Sequence, residues 1–226
     1  MTTQAIVASL SGPGNQGGRK YSGTATDGAW NSLNTTTGSS ELGFAQKGKV
    51  LDNINVQYIA GSCAWRILDR VTQMIVRSGF GCKLNTGALD GYAIKPVMIT
   101  QDMVFQVYPL AAGTKYLSWV HMVGRPAEFF AQTVADAATA ELVSVTDNSS
   151  IGSYADQTLQ KVDIQSPDGK VAQFLSVLDG NGGEVGTAYG TERQASTGRA
   201  AYIGLCYQGV AIPIMRGMTL NLTAQA

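Results

Sequence analysis

The chain has 226 residues, and sixteen Lys and Arg balance sixteen Asp and Glu, so the basic footprint of a nucleic-acid binder is missing. Its hydrophobic fraction of 44% is that of a globular protein, while its charged fraction of 14% lies well below the usual ~25%. No apolar run reaches the ~18 residues of a membrane-spanning helix, and Met1–Leu10 lacks the basic region of a secretory signal.

In chain order, Ala5–Leu10 is long enough for one strand. From Ser11 to about Gly43 the pattern is polar and glycine-rich, and loops beyond ~15 residues are uncommon inside compact domains. Residues 1–48 are therefore expected to form a strand and an extended arm or loop anchored by Tyr21, Trp30 and Leu33, read either as reaching a neighbouring subunit or as an ordinary surface loop. Residues 49–226 are expected to form a single β-sandwich. Val50–Ile59 alternates as a strand does. Ala64–Arg77 places Arg66, Arg70, Gln73 and Arg77 on one side of a 3.6-residue period and Ala64, Trp65, Leu68, Val71 and Ile75 on the other. This predicts one helix, over about residues 62–78, capped by Ser62 and ended at Ser78-Gly79.

The remainder reads as β. Tyr92–Ile99 and Met103–Pro109 flank Thr100-Gln101-Asp102 as a hairpin. Lys115–Val123 is apolar on both faces, as a central strand is. Glu128–Val134 and Ala140–Val145 follow, with a helical turn as the alternative over 135–140. Leu159–Gln165 and Lys170–Leu178 flank Ser166-Pro167-Asp168-Gly169, a type I turn signature and the firmest hairpin expected. The chain closes with Ala200–Gln208, Val210–Met215 and Met218–Thr223; Pro213 places its strand at an edge or bend. The fold class is mainly β, a sandwich or jelly roll with one helix packed on it. No internal repeat is legible.

The motifs that could carry chemistry are weak. Gly12-Pro13-Gly14-Asn15-Gln16-Gly17 has dinucleotide-loop spacing but no helix pattern after it. Gly43–Lys49 follows most of the P-loop spacing, yet Val50 stands where a magnesium-binding hydroxyl belongs. Asp179–Glu184 resembles half of a calcium loop and lacks the distal Glu. His121 is the single histidine, so every triad would pass through it, and its apolar neighbours favour a hydrogen-bonded core residue. Cys63, Cys82 and Cys206 form no Cys-x-x-Cys and read as buried thiols. No catalytic residue, cofactor or metal is expected. The Arg66/Arg70/Arg77 stripe reads as a solvated face or an inter-subunit contact.

The polar arm, the strand-to-helix passage over Val50–Arg77 and the strands that follow resemble virion structural proteins, in particular jelly-roll shell or cement (decoration) proteins of tailed phages. The resemblance implies a non-enzymatic virion component that binds copies of itself and neighbouring shell subunits. Tyr21, Trp30, Arg66 and Arg70 are the expected contact residues. The arm carries only Arg19, Lys20, Lys47 and Lys49, which argues against direct contact with nucleic acid; no membrane contact is expected. Alternatives are a tail or fibre-base component, and a carbohydrate-binding sandwich with Trp30 or Tyr189 as its stacking platform.

Overall fold

The computed structural model describes residues 3–13, 15–26, 28–58, 63–83, 92–109, 115–165, 172–189, 204–205 and 211–224. The protein is mainly β, with a β-sandwich fold, and it divides into two compact units, Met1–Ala112 and Gly113–Ala226. The expected boundary near residue 48 is therefore not where the units part. No helix among the described residues is long and apolar enough to cross a membrane.

Unit 1 contains β1 (Thr3–Gly12), β2 (Asn15–Thr26), β3 (Asn31–Ser32), β4 (Asn34–Thr35), the short helix α1 (Leu42–Gln46), β5 (Val50–Tyr58), β6 (Cys63–Asp69), β7 (Ile75–Lys83), β8 (Tyr92–Met98) and β9 (Met103–Pro109). One sheet runs β4-β2-β1-β5-β8 and the other β3-β9-β6-β7, joined where β5 and β7 pair in parallel at their ends. Ile6, Leu10, Tyr21, Ile54 and Val56 of the first sheet close on Trp65, Ile67, Phe105 and Val107 of the second. The expected arm is thus corrected. β1 and β2 form a hairpin, and β1 also pairs along β5 from Ile6 to Ser11. Alternating Ile6, Ala8 and Leu10 are buried, and that burial ties the N-terminal segment into the sheet.

The helix expected over 62–78 is also corrected: the segment is the β6–β7 hairpin, and Ser62 lies outside the described residues. β6 is buried on both faces, with only Arg66 and Asp69 partly exposed, so the two-residue alternation that marks a strand is erased. Asp69 ends β6; its Oδ1 accepts from the Val71 and Thr72 amides at 3.0 and 2.9 Å, an Asx-type closure that starts the turn. Gly79 is no helix exit. A Cβ there would lie 2.6 Å from the Trp65 ring, so glycine makes room for the indole, whose Nε1 donates to the Phe80 carbonyl at 3.1 Å.

Unit 2 contains β10 (Lys115–Met122), β11 (Glu128–Thr133), β12 (Thr139–Glu141), β13 (Val143–Ser144), a 3-10 turn (Ile151–Tyr154), β14 (Thr158–Gln165), β15 (Ala172–Leu178), β16 (Glu184–Tyr189), β17 (Gly204–Leu205), β18 (Ile212–Pro213) and β19 (Thr219–Ala224). Its sheets run β13-β11-β10-β14-β17, with β18 also on β14, and β12-β19-β15-β16. β10 is central, as expected. Met218, Leu220 and Leu222 enter the core with Val162, Ile164, Leu175 and Val177. Two expected hairpins are corrected. β8 pairs with β5 whereas β9 pairs with β3 and β6. Likewise β14 and β15 belong to different sheets, and residues 166–171 between them lie outside the described residues.

The two units share one topology, so the chain carries a repeat that is not legible in its sequence. β1 to β9 correspond in order to β10 to β16, β17 with β18, and β19, and every antiparallel pairing of unit 1 has its counterpart in unit 2. The details recur. The β6–β7 ladder slips between Ile67 and Leu68, and the β15–β16 ladder between Val177 and Leu178. Leu33 N donates to Phe105 O, and Leu142 N to Leu220 O. Thr36 N donates to Lys20 O, and Val145 N to Phe129 O. Gly48 N donates to Ile99 O, and Asp156 N to Ile214 O. Left-handed backbone falls at matched positions, with φ of 48° at Ser39 and 60° at Asn148, and 75° at Gly48 and 72° at Asp156. Gly43 and Gly152 both lie against the turn before the last strand. A Cβ on Gly43 would overlap the Gln101 carbonyl, and one on Gly152 would stand 2.8 Å from the Met218 amide and carbonyl.

Because neither site has room for a methyl group, Gly43→Ala and Gly152→Ala are each expected to cost about 1–3 kcal/mol, read as a fall in the urea midpoint of the full chain. Loss at one position with no effect at the other would contradict the correspondence.

Candidate functional site

Two of the four expected contact residues meet on the outer side of the β3-β9-β6-β7 sheet. Arg66 lies opposite Gln106, one row from Ala64 and Tyr108. Its guanidinium carbon sits 4.1 Å above the Trp30 ring, and its Nε donates to Gln106 Oε1 at 2.8 Å. Gln106 Nε2 donates in turn to Ser32 Oγ at 3.2 Å. Trp30 meets Tyr108 edge-on, with centroids 5.4 Å apart. A cation on an indole face is attracted by the ring quadrupole, and Arg66 covers one face of the Trp30 ring. The Tyr189 side chain lies outside the described residues.

The other two residues are placed elsewhere. Tyr21 is fully buried in the core, where its hydroxyl accepts from Gln46 Nε2 at 2.9 Å. Burial pushes its phenol up, partly offset by the Gln46 bond and by Arg19. A core position gives it no surface to offer. Arg70 stands in the β6–β7 turn and forms an ion pair with Glu41, just before α1. Arg77 is separate again, with Nε donating to Lys95 O at 2.9 Å and Nη2 to Pro96 O at 2.9 Å. The stripe expected on a helix is thus dispersed over two strands and a turn.

His121, expected in the core, is instead partly exposed and paired. Its Nε2 is 3.1 Å from Asp163 Oδ2, and Lys161 Nζ is 2.7 Å from Asp163 Oδ1. The trio lies on the sheet face that carries Trp119, directly opposite Asp163 in register. Burial pushes the Asp163 carboxyl up, but the bonds from His121 and Lys161 outweigh it, and the net shift is downward. The pair holds two members of a triad; Ser118, the nearest serine along β10, alternates to the other face.

The remaining motifs are used by the fold itself. Pro13 stands in the β1–β2 turn, and the strand β2 follows it. Gly43–Gln46 belongs to α1, after which the chain enters β5. Asp179 Oδ1 accepts from the Asn181 amide at 2.8 Å and the Gly183 amide at 2.7 Å, a turn closure related to that of Asp69, which reaches the second and third following amides. Among the described residues, no three His, Cys, Asp or Glu side chains converge as a metal site needs. What sequence reasoning missed is the Asp163 trio and the correspondence of Asp69 with Asp179; the shared signal is an apolar pair before each, Ile67-Leu68 and Val177-Leu178. No protein-family model, curated protein or solved structure matches the chain.

Asp163→Ala is expected to cost about 2 kcal/mol at neutral pH, the worth of hydrogen bonds to a charged group. Because the native carboxyl is held below its ordinary range, its contribution is complete above the unfolded value of ~3.9. It is lost as pH falls below that through the lowered native value. Unfolding curves for wild type and variant should therefore converge in acid and stay parallel above pH ~5; a gap that does not close in acid would contradict the assignment.

Proposed function

We propose that the chain is a non-enzymatic structural protein of a virion, of shell or cement (decoration) type, made in the host cytoplasm. It associates with copies of itself and with neighbouring shell subunits, and its work is contact, without bond chemistry. The observation that carries this reading is the exposure of large apolar side chains on a chain with no net charge, among them Phe44 at 73%, Val71 at 74% and Met98 at 64%. Isolated exposed apolar residues are ordinary, but grouped ones favour an interaction surface. β2 adds to it: it ends its sheet beyond the short β4, which pairs Tyr21 and Ser22 and bonds Lys20 O, and an edge strand can take up another chain. Arg19 and Lys20 on that strand limit indiscriminate pairing in the way edge charges do.

The contact mechanism differs from an arm laid across neighbours, because β1 and β2 pair within their own unit. The docking elements are turn ends and sheet edges of rigid sandwiches. Their affinity comes from burying apolar area at roughly 25 cal/mol per Å², less the cost of association.

Electron microscopy of the purified chain, alone and mixed with shell particles, tests this. The expected result is ordered placement in a symmetric array. Single chains that join neither each other nor the shell would overturn the proposal.

A further inference from the structure

The matched topology makes unit 2 an internal reference for unit 1: what the fold requires should be present in both, and what is present in one alone has another cause. One end of unit 1 is assembled from α1, the β6–β7 turn and the β8–β9 turn. The Arg70 amide donates to Asp102 O at 3.0 Å, and its guanidinium pairs with Glu41. Lys47 Nζ donates to Gln101 Oε1 at 3.1 Å, and the Gly48 and Ile99 amides bond across at 2.8 and 2.9 Å. These bonds bring Phe44, Val71, Met74 and Met98 to the same end, and Met74, the least exposed of them, is still 50% exposed.

Unit 2 keeps the two backbone cross-links and drops the side chains, including the Arg70–Glu41 and Lys47–Gln101 pairs. Asp156 N to Ile214 O and Ile214 N to Gln157 O repeat the cross-links of Gly48, Ile99 and Lys49. Ser153 follows Gly152 where Phe44 follows Gly43. Asn181, Gly182 and Gly183 form the turn that Val71 to Met74 form in unit 1. Pro213 faces Thr158 where Met98 faces Val50. Among the described residues of these three pieces in unit 2, Met215 alone is a mostly exposed large apolar side chain, at 54%. The fold is thus closed without an apolar end, and the four side chains of unit 1 serve something other than closure.

We propose that this end of unit 1 is a self-association surface through which two copies of the chain pair about a twofold axis. Its rim carries Lys47, Lys49 and Arg70 beside Glu41, Asp69 and Asp102. An acidic or a basic partner gains nothing from a rim of equal and opposite charge. In a twofold contact residue i meets j and j meets i, so a surface that carries both signs is able to complement itself. Phenylalanine and methionine at the centre are the residue types enriched in the dry core of such contacts. The inference rests on the structural-protein reading and names the surface and the partner it would use.

The test is sedimentation equilibrium of the full chain over the micromolar range, for wild type, for Phe44→Ser/Val71→Asn (which copies unit 2) and for Phe44→Leu. The expected result is a wild-type dimer, a double variant whose dissociation constant rises at least tenfold, and retained association in Phe44→Leu. At dilutions where each is a single chain, all three should melt alike, because the replaced side chains face solvent there and the stabilisation that association adds is absent. A double variant that associates as tightly as wild type overturns this surface and leaves the structural-protein reading standing. A wild type that stays monomeric yet binds shell particles through Phe44 overturns the second copy as occupant. A wild type that stays monomeric and joins no array overturns both.

Discussion

Each unit depends on one constraint: two sheets must close over a single apolar layer, and the last strand must return to fill the smaller sheet. β9 returns between β3 and β6, and β19 between β12 and β15. Their inward residues, Phe105 and Val107 in one unit and Leu220 and Leu222 in the other, are fully buried. Burying a side chain of that size is worth about 1.5–3 kcal/mol, so the return of the last strand is a large part of what holds the sheets together. The turn that precedes it has to come within backbone contact of the chain at Gly43 or Gly152. That close approach explains why glycine stands at both sites. It also explains the common set of amide bonds from Gly48, Ile99, Asp156 and Ile214 around it.

Much of the strand layout was legible, and the particular failures have physical causes. Met218, Leu220 and Leu222 alternate with polar residues because one face of β19 is core, and the alternation survives in the sequence. β6 is buried on both sides, so its side chains carry no alternation. Arg66, which looked like the start of a solvated helical stripe, is instead folded onto Trp30. The hairpins flanking Thr100–Asp102 and Ser166–Gly169 were misread for a different reason. Turn chemistry reports that the chain reverses, not which sheet it enters next, and both connections cross from one sheet to the other. The N-terminal segment read as an arm because Asn, Gly, Ser and Thr dominate it, yet pairing of β1 with β5 needs only Ile6, Ala8 and Leu10 to face inward.

The repeat escaped notice because the two units conserve bonds and burial far more than side chains. Trp65 has Leu175 in its place, with Gly79 opposite the indole and Ala188 opposite the leucine. Tyr21 has Phe130, and Thr35 has Ser144, again opposite one another. Size and polarity are exchanged in compensating pairs, which leaves the ladder register intact and the sequence match faint. Of the candidate site residues, the pairing of Trp30 with Arg66 had a sequence basis only as two separate contact residues. The His121–Asp163–Lys161 trio had none, since a cross-strand pair leaves no local spacing.

The division of the chain into two copies of one sandwich is the claim on which the reading of the surfaces rests. Native-state hydrogen exchange, resolved residue by residue on the intact protein, tests it most directly. The account predicts slow exchange at matched amides in both units: Leu33 with Leu142, Thr36 with Val145, and Ile99 with Ile214. Protection in one unit with free exchange at the corresponding amides of the other would contradict it.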